Sequence, residues 1–187
     1  KGEQADPEYM TLNPKAQVPT LVHDGKIVRE STIICDYLDD VFDGAQLKPI
    51  ESAETANMRE WVKESDETGF QGIAALSFCA VFRKKLANMN PNEREKPWAE
   101  QTDLARTYRQ KSCLEDGPDS PYAGVALAGW DKVFANLEQN LSDGRTWIMG
   151  DQFTLADIAF APLFARLEAV SFLSLACISN LFQFFNH

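Results

Sequence analysis

The chain has 187 residues, 44% of them hydrophobic, enough to bury a substantial core in one domain or two small ones, which excludes a disulfide-stapled miniprotein. Its 28 acidic side chains outnumber 18 basic ones for a formal net charge of −10, so nucleic-acid phosphates and anionic lipid surfaces are repelled and neither is expected as a partner. Cys35, Cys79, Cys113 and Cys177 form no C-x-x-C pair and there are two histidines, so no metal centre is expected and reduced thiols fit a cytoplasmic protein.

No secretory signal is expected, because no basic stretch followed by an apolar one opens the sequence. The first forty residues read as an α/β unit. Thr20–Val22 and Lys26–Val28 are short β-type runs around His23-Asp24-Gly25, and Asp-Gly between two such runs predicts a hairpin. Ser31 then stands where it can cap a helix with Ile33, Ile34, Tyr37, Leu38 and Val41 on the face toward a sheet and Asp36, Asp39 and Asp40 on the other. Asp43-Gly44 ends that helix, and residues 47–52, with Pro49 among them, read as a linker.

Beyond the linker the pattern becomes all-α. Helical spacing holds from about Ala53 to Asn88, and Asn90-Pro91-Asn92 interrupts before a charged helix over about Glu93 to Ser112. After Asp116-Gly117-Pro118, the residues Trp130, Val133, Phe134, Leu137 and Leu141 form a stripe ended by Ser142-Asp143-Gly144. Thr154 and Asp157 are placed for a capping box, with Phe153 and Ile158 as its hydrophobic staple, and Pro162 should bend the helix that follows. Asp157 is therefore read as a fold-stabilising residue rather than a catalytic acid. Ala169 to Phe185 carries no charge but falls short of the roughly 20 residues of a comfortable membrane span and contains several polar side chains, so a buried helix is expected there rather than a span.

Two segments carry a resemblance. Asn13-Pro14-Lys15-Ala16-Gln17-Val18-Pro19-Thr20-Leu21, with Asp24-Gly25 and Glu30-Ser31-Thr32-Ile33-Ile34, resembles the glutathione-binding half of the thioredoxin-like domain of glutathione transferases. Gly150-Asp151-Gln152-Phe153-Thr154-Leu155-Ala156-Asp157-Ile158 resembles the motif that begins the central helix of that family's helical domain. The resemblance implies a partial thioredoxin-like domain over 1–46, whose first β-α-β would precede Lys1, a linker over 47–52 and an all-helical domain over 53–187. It covers about Glu8 to Val170, and the terminal segment departs from it.

The resemblance further implies glutathione as cofactor and Gln17, Val18, Pro19, Glu30 and Ser31 as its binding residues. A cis bond before Pro19 would turn the Val18 main chain toward the cysteinyl part of the ligand. Main chain suits main chain, as in strand addition. Glu30 and Ser31 would hold the γ-glutamyl end, and the physics supports each role: a helix start attracts a carboxylate, whereas a carboxylate side chain suits an ammonium. The plainer reading makes Ser31 a helix cap and Glu30 a surface charge.

Family members ionise the glutathione thiol with a tyrosine, serine or cysteine near the first helix, since the thiolate is the nucleophile. The matching position is not in this sequence. Tyr9 falls in another segment, so no catalytic residue is assigned. Ser31 to Phe42 and Met58-Arg59-Glu60-Trp61 are similar to the bacterial β-etherase type, which implies displacement of a phenolate from an aryl ether by the thiolate. Trp61, Phe70, Phe78 and Phe82 would then either wall an aromatic substrate pocket or belong to the core. Asp66 lies where several members place an acid that reaches a neighbouring subunit's glutathione, or else it faces solvent. The family's usual assembly is a homodimer. Two other classes stay open: a noncatalytic binding protein on the same fold, and a redox protein forming a mixed disulfide with glutathione, for which Cys35 and Cys79 are poorly placed because apolar surroundings oppose thiolate formation.

Overall fold

Asp24 and Gly25 both take positive φ, 49° and 74°, the conformation of two-residue turns that match strand twist. They join β1 (Thr20–His23) to β2 (Lys26–Arg29) as an antiparallel pair in which Thr20 faces Arg29 and His23 faces Lys26. The computed structural model describes residues 3–99 and 103–170. Before the hairpin it contains a helix absent from the sequence reading, α1 (Pro7–Leu12), whose first turn is capped by the Asp6 carboxylate. After the hairpin comes α2 (Ser31–Val41).

α2 corrects two expectations. Glu30, not Ser31, occupies the cap position, and Ser31 is the first helical residue. The apolar stripe is also less buried than its spacing predicts: Ile34 is buried, whereas Ile33 is 57% exposed and Val41 43%. Among the described residues the sheet has two strands, too few to cover three turns of helix. The acidic side is the engaged one. Lys48 reaches in from the following segment, donates to the Asp36 carbonyl at 3.2 Å and to the Asp40 carboxylate, and lies 3.8 Å from Asp39. Arg59 approaches Asp36 at 3.3 Å from α3 (Ser52–Glu64). A nearly buried ammonium is tolerated only where carboxylates meet it, and within residues 47–52 Lys48 and Pro49 are buried.

The predicted long helix runs from Ser52 to Ala87, but two of its turns are π-wound. α3 continues into Ser65–Phe70, then α4 (Gln71–Ser77), a second π turn Phe78–Phe82, and α5 (Arg83–Ala87). The single charged helix expected over Glu93 to Ser112 is two, α6 (Pro91–Ala99) and α7 (Leu104–Glu115). Asp103 starts the second by accepting the Arg106 N–H at 2.9 Å. All five residues of the stripe predicted on α8 (Pro121–Leu141) are buried. They meet Met58, Ile73, Phe160, Phe164 and Leu167 in the main core. The uncharged stretch from Ala169 lies almost wholly outside the described residues, among which no helix is long and apolar enough to cross a membrane.

α4 and α8 approach closely because Gly72 has no side chain. A Cβ there would stand 2.9 Å from two ring atoms of Trp130, which is fully buried. Gly→Ala inside an unconstrained helix gains about 1 kcal/mol from propensity. Gly72→Ala is instead expected to lose about 1–3 kcal/mol by overpacking against a rigid indole, read as a lower urea midpoint; a raised midpoint would show that the two helices can separate freely.

α9 (Leu155–Ala169) opens with the expected capping box between Thr154 and Asp157 and runs through Pro162. Phe153, the residue assigned to the staple, stands edge-on to Trp147 with ring centres 4.8 Å apart.

Candidate functional site

The register of the hairpin brings the predicted binding residues together. Thr20 pairs with Arg29, so Pro19 and Glu30, the next residues outward on the two strands, leave the sheet side by side. Gln17, Val18, Pro19, Glu30 and Ser31 therefore cluster at one edge, and the 2.7 Å bond from Lys15 Nζ to Glu30 Oε1 spans them. The Val18-Pro19 bond is cis.

Two residues that sequence reasoning did not select hold this loop. The Tyr9 hydroxyl donates to the Gln17 carbonyl at 2.5 Å and bonds Thr20 Oγ1 at 2.8 Å, while Asn13 Nδ2 donates to the same carbonyl at 2.9 Å. Asn13 is buried and Tyr9 half-buried. Their pull fixes the Gln17 carbonyl inward and leaves Val18 71% exposed. The Tyr9 hydroxyl is thus engaged within the loop. Asn13-Pro14 signals a turn in sequence, but nothing there shows that the amide points inward.

At the start of α2 the first intrahelical bond runs from Ile34 N–H to Glu30 C=O at 2.9 Å. The N–H groups of Ser31, Thr32 and Ile33 precede it, and the Glu30 side chain makes no capping bond to them. An uncapped helix start of this kind is a site for an anion. Glu30 takes φ 67°, a left-handed conformation that few residues other than glycine adopt, and its carboxylate turns out to Lys15. Both ends of that ion pair are more than half exposed, so it is weak and can be exchanged. Thr32 donates its hydroxyl to Asp66 Oδ2 at 2.6 Å, which draws the first π turn of the helical part to this same edge. Asp66 is half-buried and paired to Thr32 of its own chain rather than facing solvent.

The four aromatic residues divide. Trp61 packs on the core, edge-on to Phe160 at 6.2 Å, as the core reading expects. Phe78 likewise packs against the core, 5.2 Å from Phe82, whereas Phe70 is 55% exposed and Phe82 40%. Asp66, Phe70, Ala74, Phe78 and Phe82 follow one another at four-residue steps. Such a step overshoots a turn in an α-helix of about 3.6 residues and falls short in a wider π turn. Alternation of the two keeps the row on one side, so an apolar strip leads away from Asp66.

The described cysteines are free thiols. Burial raises the Cys35 pKa, and burial together with neighbouring Cys113 pushes Cys79 up to about 12, with Arg83 opposing only weakly. Both shifts disfavour the thiolate, the form that reacts. Cys79 is expected to remain unalkylated when the folded protein is treated with iodoacetamide near neutral pH and to react once unfolded, as peptide mass spectrometry would show; rapid native labelling would contradict the burial.

Comparison with known proteins fits this geometry. Residues 1–40 match the profile of the glutathione S-transferase N-terminal domain, and residues 91–179 that of the C-terminal domain. Protein LigF of a Sphingobium species is 49% identical over 166 residues, covering 84% of this chain and 62% of LigF, so the chain spans less than two thirds of that relative's length. The tetrachloro-p-hydroquinone reductive dehalogenase of Sphingobium chlorophenolicum is 28% identical over 182 residues, covering 90% of this chain and 69% of the dehalogenase. The crystal structure of beta-etherase LigF from Sphingobium sp. strain SYK-6 superposes with a TM-score of 0.82 and 26% identity, covering 99% of this chain and 79% of that one. A glutathione transferase from Burkholderia graminis, crystallised with two glutathione molecules per subunit, superposes with a TM-score of 0.65 at 25% identity over 98% of this chain and 67% of its own. The expected fold class, a thioredoxin-like half followed by an all-helical part, is the one these structures share.

Proposed function

The chain belongs to the glutathione S-transferase family, and from that premise we propose that it binds glutathione at the edge formed by Gln17–Pro19, Glu30 and Ser31 and serves a glutathione-dependent transferase acting on aromatic electrophiles, with aryl ether cleavage as its reaction. The observation that carries this reading is the 49% identity to LigF, a beta-etherase.

The residues present suit the ligand. Val18 is an exposed residue whose main chain would pair with the cysteinyl peptide, the open N–H groups at the start of α2 suit the γ-glutamyl carboxylate, and Glu30 and Asp66 flank that point as partners for its ammonium. Bound glutathione supplies the thiol that displaces the phenolate of an aryl ether, a carbon–sulfur bond forming as the carbon–oxygen bond breaks. Phe70 and the strip beyond it offer an apolar surface next to Asp66 for the aromatic group. Residues 1–46 and 53–187 act as two domains joined at 47–52, and the protein works as a cytoplasmic homodimer.

The test is turnover by the native polypeptide. With glutathione and a chromogenic β-aryl ether it should release one phenol per glutathione consumed, and none without glutathione. Glutathione binding without consumption of an aryl ether or a haloaromatic electrophile would support the noncatalytic reading instead.

A further inference from the structure

Beyond the second π turn, α5, α6 and α7 line a half-open cavity of about 300 Å³, at the opposite end of the long helix from Asp66. Its walls carry four cationic side chains, Arg83, Lys84, Arg94 and Lys111, against two carboxylates, Glu95 and Glu115. A two-charge positive excess in a chain of net charge −10 is a local reversal of sign. Two of the cations are engaged: Arg83 donates to the carbonyls of Leu114 at 2.9 Å and Glu115 at 3.3 Å, and Lys111 pairs with Glu95 at 2.7 Å. Arg94 is not, since its Nε is buried and lacks a hydrogen-bond partner. That Nε is shielded from the cavity, so an acceptor can reach Arg94 only at its terminal guanidinium nitrogens.

The remaining wall is apolar. Trp98 is buried, its indole N–H held by Gln110 at 2.8 Å and its ring 5.3 Å from the Lys111 ammonium, and Ala87 and Leu114 line the cavity beside it. A bare ion would leave that surface wet, and a neutral aromatic would leave Arg94 unpaired. We propose that this cavity is a binding site for a small aromatic carboxylate, the carboxylate accepting from Arg94 with Lys84 nearby and the ring against Trp98. This site is separate from the glutathione edge and does not rest on the proposed reaction.

Titration of ¹⁵N-labelled protein with benzoate, followed at the Trp98 indole N–H, tests it. A saturable shift of Trp98 is expected. Benzyl alcohol and inorganic phosphate should each bind at least about fivefold more weakly, as should benzoate to Arg94→Gln or Lys84→Gln, since a charge-assisted hydrogen bond is worth at least that factor. Unchanged Trp61, Trp130 and Trp147 indole signals certify each variant's fold, and Lys84→Gln lies on an exposed position that leaves the core untouched. No saturable Trp98 shift, equal affinity for phosphate or benzyl alcohol, or undiminished binding by both variants would each overturn the assignment.

Discussion

Asp157→Ala is expected to lower folding stability by about 2–4 kcal/mol, because it removes the acceptor of two buried N–H groups at once. The Asp157 carboxylate is 2% exposed and accepts from Thr154 N–H at 2.7 Å and Ile148 N–H at 2.9 Å, with the Thr154 hydroxyl at 3.1 Å. Thr154 and Ile148 are themselves fully buried, so water cannot replace the lost oxygens. Burial raises the Asp157 pKa, and its hydrogen bonds offset this only in part. A carboxyl whose folded pKa lies above its ordinary value of 3.8 binds more protons when folded than when unfolded. Its contribution therefore falls as pH rises through that window and stays constant above it. Asp157→Asn removes that titration. The stability difference between wild type and this variant should change with pH only between the ordinary and the raised value, in a direction that disfavours wild type as pH increases. Equal denaturation midpoints for wild type and Asp157→Ala would show that the capping box holds nothing together.

Asp66→Asn should weaken glutathione binding by about tenfold or more, the scale of a charge-assisted hydrogen bond lost from a partly buried position. The asparagine oxygen can still accept from the Thr32 hydroxyl, so the junction between α2 and the π turn survives while the charge disappears. Glu30→Gln should cost less. Its carboxylate is 52% exposed and already shared with Lys15, so solvent screens what the ligand gains there. In steady state both changes should appear in the KM for glutathione with kcat nearly kept, the signature of binding energy used equally in ground and transition states. Calorimetry and initial rates on the same preparations separate the cases. An unaltered KM for Asp66→Asn with an unaltered melting temperature would remove Asp66 from the site.

What the sequence made legible follows from how local each feature is. Asp-Gly between two β-type runs specifies its own turn, and the hairpin is present. The Trp130-to-Leu141 stripe and the Thr154–Asp157 box are likewise written in spacings of three and four residues, and both are present. The errors lie where one segment answers to another. Ser31 looked like a cap because serine favours that place, but Glu30, in a left-handed conformation, holds it and leaves the helix start open. Spacing names no partner for Asp36, Asp39 and Asp40, because Lys48 and Arg59 stand 8 to 23 residues away in sequence from the carboxylates they meet. The π turns are invisible to a 3.6-residue pattern, which is why Phe70 and Phe82 could not be divided from Trp61 beforehand. Tyr9 and Asn13 were missed for a related reason: a side chain that holds a carbonyl of the next loop leaves no periodic trace.

The central claim is that a γ-linked tripeptide docks on the Val18 main chain and the open start of α2. Amide chemical shifts during a glutathione titration of the ¹⁵N-labelled native polypeptide test it most directly. Saturable shifts of the Val18, Ser31 and Thr32 N–H groups, weakened together by Asp66→Asn, are predicted; saturation that leaves these three amides unmoved would contradict it.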